Sequence, residues 1–397
     1  MRGKLTVLMI TAFVDMLGLA MVIPLLPFYA TQLGASATIV GVLIAAFSIA
    51  QLASAPLWGR FSDAYGRRPA LLVGLLVSAL AYVVFAYATT LWLLLLSRVV
   101  QGLGGGTIGV VQAYVADSSD PRDRAKSLGW LSAATSLGAV VGPAIGSALI
   151  HWGRHAPGIA SAIFCVLISV FAGIYLRESR DDSVSTAEHE IAHQTGSGAV
   201  WSVIARPREP AQRLIWIYAI AIGAFYGTVP TLPLILAHRL PITEANVGYF
   251  VMYLGGMGVI VRAGLLGRMI EWLGEARLTR LGLVLLALGL ALVAQVHSYL
   301  TLIVSLTLMP LGTAFVFPCV TAMLSRVVPK RHRGLYMGVQ HTFGGVSRVV
   351  FPLAAGVAMD HLGLGFPFVI AGVLVLATLL LTASMEEYAP SRAASVI

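Results

Sequence analysis

The chain has 397 residues, of which 58% are hydrophobic and 11% are charged, whereas an ordinary soluble domain is about 25% charged. A soluble fold could not bury this much apolar surface, so the composition excludes a soluble enzyme or binding domain. The net charge of +9 lies on no soluble domain with a basic face, which also excludes a nucleic-acid-binding protein.

Apolar runs long enough to cross a bilayer, about 20 residues each, recur along the whole chain. Lipid offers the backbone no hydrogen-bond partners, and the runs are too long for barrel strands, so we predict helices. The predicted fold is an all-α membrane protein with twelve transmembrane helices in two pseudo-symmetric six-helix bundles. The predicted spans are 5–29, 38–58, 69–89, 92–116, 126–150, 157–176, 212–237, 245–266, 279–296, 299–325, 334–359 and 364–384.

Basic residues predict the orientation. If both termini are cytoplasmic, the inner segments with the adjoining ends of the spans hold 21 of the 26 Lys and Arg, the outer loops hold two, and three lie deeper within the spans. This asymmetry satisfies the positive-inside rule. We therefore predict a multi-pass inner-membrane protein with both termini in the cytoplasm, in contact with anionic membrane lipid.

One long polar stretch, residues 177–210, divides the chain nearly in half. The predicted domains are a bundle at 1–176, a cytoplasmic linker at 177–210 and a second bundle at 211–397. His189 and His193 stand one helical turn apart in this linker and could ligate a metal. A solvated linker helix explains them better, so no metal site is predicted.

A charged hinge, GRFSDAYGRR, connects the second and third predicted spans. Asp63 is placed to accept hydrogen bonds from the N–H groups that start the third helix, and Arg67 to pair with Asp117 at the cytoplasmic end of the fourth. These contacts would hold one conformation, so we predict a conformational gate. The alternative is a basic loop that only fixes the orientation of the protein.

The hinge resembles the signature loop of the major facilitator superfamily, a group of secondary transporters. The resemblance implies two bundles of six helices and a gate at the hinge. The residues that carry it are Gly59, Asp63, Gly66, Arg67 and Arg68.

The two halves also repeat each other. Such parallel repeats predict a substrate site between the halves near mid-bilayer, with transport by rocking one half against the other. In the family resembled, helices one, four, seven and ten line this cavity. The repeated residues are Gly59, Arg60 and Gly66 with Gly267, Arg268 and Gly274; Gly129 and Pro143 with Gly338 and Pro352; and Pro24 and Pro27 with Pro230 and Pro233.

Asp15 is the only carboxylate deep within a predicted span. A charge near mid-bilayer costs at least about 2.5–3.5 kcal/mol, so such residues usually face a cavity and mark a pathway. Burial disfavours a charged carboxylate and a nearby arginine favours it, so Asp15 is the candidate proton carrier. The alternatives are a hydrogen bond to a neighbouring backbone or hydroxyl group, and a buried ion pair that locks helices together.

Arg98 begins the segment SRVVQGLGGG, which resembles the fourth-helix motif of proton-coupled members of the superfamily. The resemblance implies that Arg98 takes part in proton transfer. Asp15, Arg98 and Arg348 each have an uncharged residue at the repeat-related position, so each charge belongs to one half only. Such departures from the repeat are where we expect function.

The fifth predicted span contains LGAVVGPAIGSAL, which resembles the motif of the antiporter branch and implies export. Glycines at four-residue spacing line one helix face and permit tight packing, and the proline bends the helix. A general packing face without a coupling role is the alternative. The antiporter residues are Gly138, Gly142, Pro143 and Gly146.

The first half is similar to tetracycline-antiporter-like drug exporters. The segments that carry this similarity are the run from Asp15 to the Pro24 and Pro27 pair, the hinge, SRVVQG, VADSSDPRDRAKSLGW and VGPAIG. Tetracycline exporters also carry carboxylates within the third and ninth spans. Neither 69–89 nor 279–296 contains Asp or Glu, which argues against tetracycline itself as the substrate.

The charges deep within the predicted spans, away from their ends, are three arginines, Arg98, Arg262 and Arg348, against one aspartate. This surplus favours neutral, zwitterionic or anionic substrates over lipophilic cations, although Arg262 could instead snorkel to the cytoplasmic face. Aromatic and polar side chains could line the cavity and stack on a drug-sized ligand, or could face lipid or core. These cavity candidates are Gln101, Gln112, Phe225, Tyr226, Phe315, Gln340, His341 and Arg348.

We therefore predict a monomeric, proton-coupled secondary transporter that exports small amphiphilic or drug-like molecules by alternating access, as in multidrug efflux and antibiotic resistance. One alternative is an exporter of an organic anion or metabolite. Another is a lipid-handling flippase of the same fold, in which arginines hold phosphate headgroups. No cofactor is predicted, and the embedded polar residues show no nucleophile–base pairing that would indicate an enzyme.

Overall fold

The computed structural model describes residues 2–120, 123–176, 178, 200–383 and 385–388. Among these residues, eleven helices are long and apolar enough to cross a membrane, and a shorter apolar helix follows them. The predicted all-α membrane fold is confirmed. In chain order the helices are α1 (Leu5–Gln32), α2 (Ala37–Tyr65), α3 (Arg67–Ala86), α4 (Leu91–Asp117), α5 (Arg124–Trp152), α6 (Ala156–Tyr175), α7 (Pro210–Arg239), α8 (Val247–Gly264), α9 (Glu275–Ala294), α10 (Tyr299–Val327), α11 (Lys330–His361) and α12 (Phe366–Thr382).

Some helices extend beyond their predicted spans. The second span was predicted to end at residue 58, yet α2 continues to Tyr65. An apolar run measures only the part of a helix that lies in lipid, whereas the helix itself ends where the backbone changes direction. That point is Gly66, whose φ of 102° is a conformation that glycine adopts readily and other residues rarely adopt.

Three helices are interrupted. Prolines stand at the breaks in α1 and α7, where they remove a backbone donor, and a glycine cluster stands at the break in α4. The segments are Arg2–Val22, Ile23–Leu25 (3-10) and Leu26–Gln32 in α1; Leu91–Gly105 and Ile108–Asp117 in α4; and Pro210–Ile222, Gly223–Gly227 (π), Val229–Thr231 (3-10) and Leu232–Arg239 in α7.

Contacts divide the described chain into two units. Unit 1 lies within residues 1–182 and 230–255, and unit 2 within residues 183–229 and 256–397. In unit 1, α1 packs on α5, and α3 packs on α4 and α6. In unit 2, α7 packs on α11, and α9 packs on α10 and α12. These are the same helix pairs six helices further along, as parallel repeats require; the domain boundaries at 176 and 211 stay a prediction.

Small residues bring helix backbones together within each unit. In unit 2, a Cβ added at Gly312 of α10 would lie 2.5 Å from the carbonyl oxygen of Gly282 on α9. Helices in lipid lack a hydrophobic drive to associate, so this close van der Waals contact is a main source of their packing energy. The α9–α10 pair is therefore a firmly packed element that supports the side chains of unit 2.

Candidate functional site

The hinge between α2 and α3 holds the charged contact that its sequence predicts. Arg67 Nη1 lies 2.5 Å from Asp63 Oδ1, and Arg67 Nε lies 3.3 Å from Asp117 Oδ2 at the end of α4. Arg67 also donates to Ser62 Oγ at 3.0 Å. The predicted Arg67–Asp117 contact is present, and its role as a gate stays a prediction.

The expected role of Asp63 as a cap for α3 is wrong. The backbone N–H groups of Arg67 and Arg68 donate instead to the two carboxylate oxygens of Glu178, at 2.9 and 3.1 Å. Asp63 belongs to the last turn of α2, one turn before Arg67, so it meets the side chain of that arginine. A Cβ at Gly66 would collide with the Glu178 carboxylate. Gly66 therefore both ends α2 and leaves space for the residue that caps α3.

The other two hinge residues differ in their contacts. Arg68 Nη2 donates to the backbone carbonyl of Gly173 on α6, which ties the hinge to a third helix. No atom lies within 4 Å of a Cβ added at Gly59. The structure therefore gives the glycine at position 59 no packing role.

Unit 2 contains a matching ion pair that the sequence analysis missed. Arg326, at the end of α10, pairs with Glu275, at the start of α9. The repeat offsets of 208 and 209 carry Arg67 to Glu275 and Asp117 to Arg326, so the same two positions are paired with their charges exchanged. Applying the offsets to charged residues as well as to glycines would have found this pair.

Asp15 lies half-buried on α1 and forms no ion pair with any residue that the structure describes. Among the described residues, Asp15 therefore does not show the alternative of a buried ion pair that locks helices together. Tyr82 of α3 and Cys165 of α6 lie within electrostatic range of Asp15. The carboxyl group thus stands among α1, α3 and α6 without a fixed counter-charge.

Arg98 is only 3% exposed, and its Nε has no hydrogen-bond partner among the described residues. Its guanidinium carbon lies 5.6 Å from the centroid of the Phe47 ring, a cation–π distance. The predicted cavity residue Gln101 lies one turn further along α4, is also 3% exposed and has an unpaired Nε2. Unpartnered buried donors are rare in native proteins, so these two call for an explanation.

Tyr82 connects these groups and was missed in the sequence analysis. It is 2% exposed and lies within interaction range of Asp15, Arg98 and Gln101. Gly18, one turn after Asp15, leaves room for its ring, since a Cβ there would lie 3.5 Å from the Tyr82 hydroxyl. A buried tyrosine hydroxyl needs a polar partner, but in sequence Tyr82 looks like any aromatic residue of an apolar helix.

The antiporter glycines face α1. A Cβ added at Gly142 would lie 2.7 Å from the carbonyl oxygen of Leu17 and 2.8 Å from Ala20 Cβ. Gly138 and Gly146 meet the carbonyl oxygens of Phe13 and Met21 in the same way. Asp15 therefore lies on a stretch of α1 whose backbone is held directly against α5.

A second face of α5, about 100° around the helix from the glycines, packs on the start of α8 within unit 1. The Pro143 carbonyl meets Gly248, and the Gly248 N–H donates to Ser147 Oγ at 2.9 Å. Ser147 Oγ in turn donates to the Glu244 carbonyl at 2.6 Å. The motif residues thus make close contacts on two sides of α5.

The remaining glutamines fall in different surroundings. Gln112 of α4 is exposed in unit 1. Gln340 of α11 is fully buried in unit 2, where its Oε1 accepts from Thr321 Oγ1 at 3.4 Å and its Nε2 has no partner among the described residues. Gln340 therefore connects α10 to α11, and the structure does not place it beside the aromatic side chains of unit 2.

Phe225 and Tyr226 lie in the π-helical turn of α7, a feature that is frequent at functional sites. Their rings are 5.0 Å apart and edge-on, and Tyr226 is 46% exposed. Phe315 is 1% exposed, and its Cβ packs on Gly282 of α9. Its assignment to a cavity is therefore wrong, because it belongs to the tight α9–α10 contact.

Phe317, two residues further along α10, takes the place expected of Phe315. Its ring centroid lies 5.5 Å from that of Tyr218 and 6.2 Å from that of Tyr226, the latter at an interplanar angle of 21°. The His341 ring lies edge-on to Tyr218 at 6.3 Å. We call Tyr218, Tyr226, Phe317 and His341 the aromatic cluster of unit 2.

Two arginines border the aromatic cluster. Arg348 of α11 and Arg262 of α8 both lie within electrostatic range of Tyr218, and Arg348 also acts on His341. Neither arginine forms an ion pair with a residue that the structure describes. The cluster is therefore aromatic and positively charged, and its arginines have no acidic ion-pair partner in the described part of unit 2.

No group of three or more His, Cys, Asp or Glu residues that could hold a metal exists within the described part of the chain. His189 and His193, the pair considered for a metal, lie outside the described residues.

Replacing Glu178 by Gln should lower the stability of the protein by about 0.5–2 kcal/mol, because α3 loses a charged acceptor at its first N–H groups. The measurement is thermal unfolding of the purified full chain in detergent. Glu271→Gln is the matched control, since Glu271 is an exposed carboxylate between α8 and α9. Equal unfolding temperatures for the two variants would contradict the cap.

Replacing Gly142 by Ala should separate α1 from α5 and destabilise unit 1 by about 1–3 kcal/mol, as overpacking does in tight cores. Gly129→Ala is the control on the same helix, because a Cβ there meets no atom within 4 Å. Thermal unfolding should show a lower midpoint for Gly142→Ala and an unchanged or higher one for Gly129→Ala. A similar loss in both variants would show that helix propensity, and not the α1 contact, matters.

Comparison with known proteins agrees with this arrangement. The model of the Major Facilitator Superfamily matches residues 8–294 and 214–395. "Multidrug resistance protein 2" of Bacillus subtilis (strain 168) is 28% identical over 387 residues, which cover 96% of this chain and 94% of that protein. "Tetracycline resistance protein, class B" of Escherichia coli is 26% identical over 364 residues, which cover 91% and 90%.

Among solved structures, the crystal structure of the human organic anion transporter MFSD10 (TETRAN) has a TM-score of 0.67 and 24% identity, and the likeness covers 96% of this chain and 99% of that one. This second comparison supports the fold alone. The family model matches nearly the whole chain, and the two relatives cover 96% and 91% of it. The chain therefore belongs to the Major Facilitator Superfamily, as a multi-pass membrane transporter and not an enzyme.

Proposed function

We propose that the protein exports small amphiphilic, drug-like molecules in exchange for protons by alternating access. The observation that carries the proposal is Asp15, a membrane-embedded carboxylate without an ion-pair partner among the described residues. Support comes from two relatives that are named multidrug and tetracycline resistance proteins. We place the protein as a monomer in the inner membrane, with both termini cytoplasmic.

Asp15 carries the proton in this proposal. The free-energy balance between its charged and neutral forms depends on which groups stand near it. Tyr82 lies within electrostatic range of the Asp15 carboxyl group, and Arg98 lies within electrostatic range of Tyr82. A shift of α1 relative to α3 or α4 changes both influences, so proton binding and helix position are coupled.

The close α1–α5 contact gives such a shift a mechanical route. Gly138, Gly142 and Gly146 leave no space between the two backbones, and tightly packed elements move as one body. Movement of α5 therefore moves the backbone that carries Asp15. The Arg67–Asp117 and Glu275–Arg326 contacts are the proposed latches at the cytoplasmic helix ends.

Tetracycline itself is not the proposed substrate. Within the described residues, α3 contains no carboxylate. The one carboxylate of α9, Glu275, stands at the first residue of the helix and is held by Arg326. Neither helix thus offers the free carboxylate that tetracycline exporters carry in these spans.

The proposal is tested by substrate-induced collapse of a pH gradient in inside-out vesicles, across anionic, neutral and cationic amphiphilic compounds. Asp15→Asn should abolish proton release, because an amide cannot exchange a proton, while binding of the substrate persists. Tyr82→Phe should weaken proton release without abolishing it, because the hydroxyl positions the carboxyl group and does not carry the proton.

Tyr87→Phe is the control for Tyr82, since Tyr87 lies at the exposed outer end of α3 and stacks on His155. It should behave as the native chain does. If the native chain moves compounds or labelled lipid without any proton release, proton antiport is wrong and a facilitative or lipid-handling function replaces it.

A further inference from the structure

The aromatic cluster of unit 2 has the composition of a ligand site. Its four rings come from three helices, with Tyr218 and Tyr226 on α7, Phe317 on α10 and His341 on α11. Phe317 contacts both tyrosines, so it lies at the centre of the group. A drug-sized ligand is typically bound by such convergent apolar and aromatic side chains with a few polar groups among them.

The charge at this cluster is unbalanced. Arg262 and Arg348 act on Tyr218, and no carboxylate of the described part of unit 2 pairs with either of them. The carboxylates of unit 2 that do form ion pairs, such as Glu275, lie at the ends of helices. An arginine without an ion-pair partner in a membrane span is energetically unfavourable, and a bound anion would neutralise its charge.

Two rings of the cluster are accessible to a ligand. Tyr226 and Phe317 are nearly parallel, at an interplanar angle of 21°, but their centroids are 6.2 Å apart. Aromatic pairs attract over centroid separations of about 4.5–7 Å, so this pair is loosely stacked. Tyr226 is 46% exposed and Phe317 is partly exposed, so an incoming ring can contact the free edge of both.

We propose that this cluster binds organic anions that carry an aromatic ring, with the anionic group at Arg348 and the ring against Tyr226 and Phe317. The proposal rests on the proposed export of amphiphilic molecules and adds the charge and shape of the substrate. Arg348 is the residue that determines charge, because it stands two turns after His341 on the same face of α11 and lies within electrostatic range of Tyr218. Phe317 is the residue that determines shape, because it is the shared neighbour of the two tyrosines.

The test uses three probes of one size that differ in charge: 2-naphthoate, 2-naphthamide and 2-naphthylmethylammonium. Their dissociation constants are measured on the purified full chain in detergent by calorimetry, with no proton gradient present. The native chain should bind the anion most tightly. Arg348→Gln should weaken anion binding by about 10- to 100-fold, since a hydrogen bond to a charged group is lost, and should leave binding of the amide unchanged.

Two further variants separate charge from packing. Arg348→Lys should restore part of the affinity for the anion, and Phe317→Ala should weaken all three probes by about tenfold. Arg331→Gln is the control for removal of a positive charge, because Arg331 is exposed in the first turn of α11, and it should bind all three probes as the native chain does. Native folding of each variant is checked by its thermal unfolding midpoint.

The outcomes distinguish this inference from the proposed function. If the cation binds as tightly as the anion, or if Arg348→Gln leaves anion binding unchanged, the anion site is overturned. Proton release induced by cationic compounds would then still support the exporter. If the anion binds through Arg348 but no compound releases protons in vesicles, the site stands and the proton coupling is wrong.

Discussion

A charge at mid-bilayer costs at least about 2.5–3.5 kcal/mol. It must therefore be neutralised by a partner, lie at the membrane surface, or serve a function such as binding a proton or a substrate. This constraint sorts the ionisable residues of the chain into two groups. Arg67, Asp117, Glu275 and Arg326 lie at helix ends and are paired. Asp15, Arg98 and Arg348 lie within spans and form no ion pair among the described residues. The paired group stabilises the structure, and the unpaired group marks where protons and substrate are expected.

The two helix-end pairs occupy repeat-related positions with exchanged signs, and the helix dipole makes them unequal. A helix start favours negative charge and a helix end favours positive charge, each by about 0.3–1 kcal/mol. Glu275 and Arg326 satisfy both preferences at the start of α9 and the end of α10, whereas Arg67 and Asp117 oppose both. Glu178 supplies the missing negative charge at the start of α3. The two pairs therefore differ in how their charges interact with the helix dipoles.

Much of the fold could be predicted because lipid imposes a simple rule on sequence. Long apolar runs mark helices, and basic residues mark helix ends, so the all-α membrane architecture followed from composition. The helix ends that lie outside the lipid could not be predicted from apolar runs, because α2 ends at Gly66 and not where its hydrophobic segment ends. For the same reason Asp63 was misassigned, since a residue taken for a loop proved to lie in the last turn of a helix.

The candidate site was predictable only where charge revealed it. Asp15, Arg98 and Arg348 stand out in an apolar chain, whereas Tyr82 and Phe317 do not. Phe315 and Phe317 differ by about 200° around a helix, since each residue turns it by about 100°, yet both fit an apolar pattern equally. Glu178 lies more than a hundred residues from the N–H groups that it caps, a distance that no local pattern spans.

The proposed division of charge between the units has an energetic consequence. The carboxylate that would carry the proton lies in unit 1, and the arginines that would hold an anion border the aromatic cluster of unit 2. If one proton enters for each monoanion that leaves, two positive charges in effect move inward. Each charge that crosses 100 mV is worth about 2.3 kcal/mol, so the membrane potential would contribute about 4.6 kcal/mol to export. A cationic substrate exchanged for one proton would gain nothing from the potential. An exporter with unpaired arginines at its substrate site thus uses the potential as well as the proton gradient.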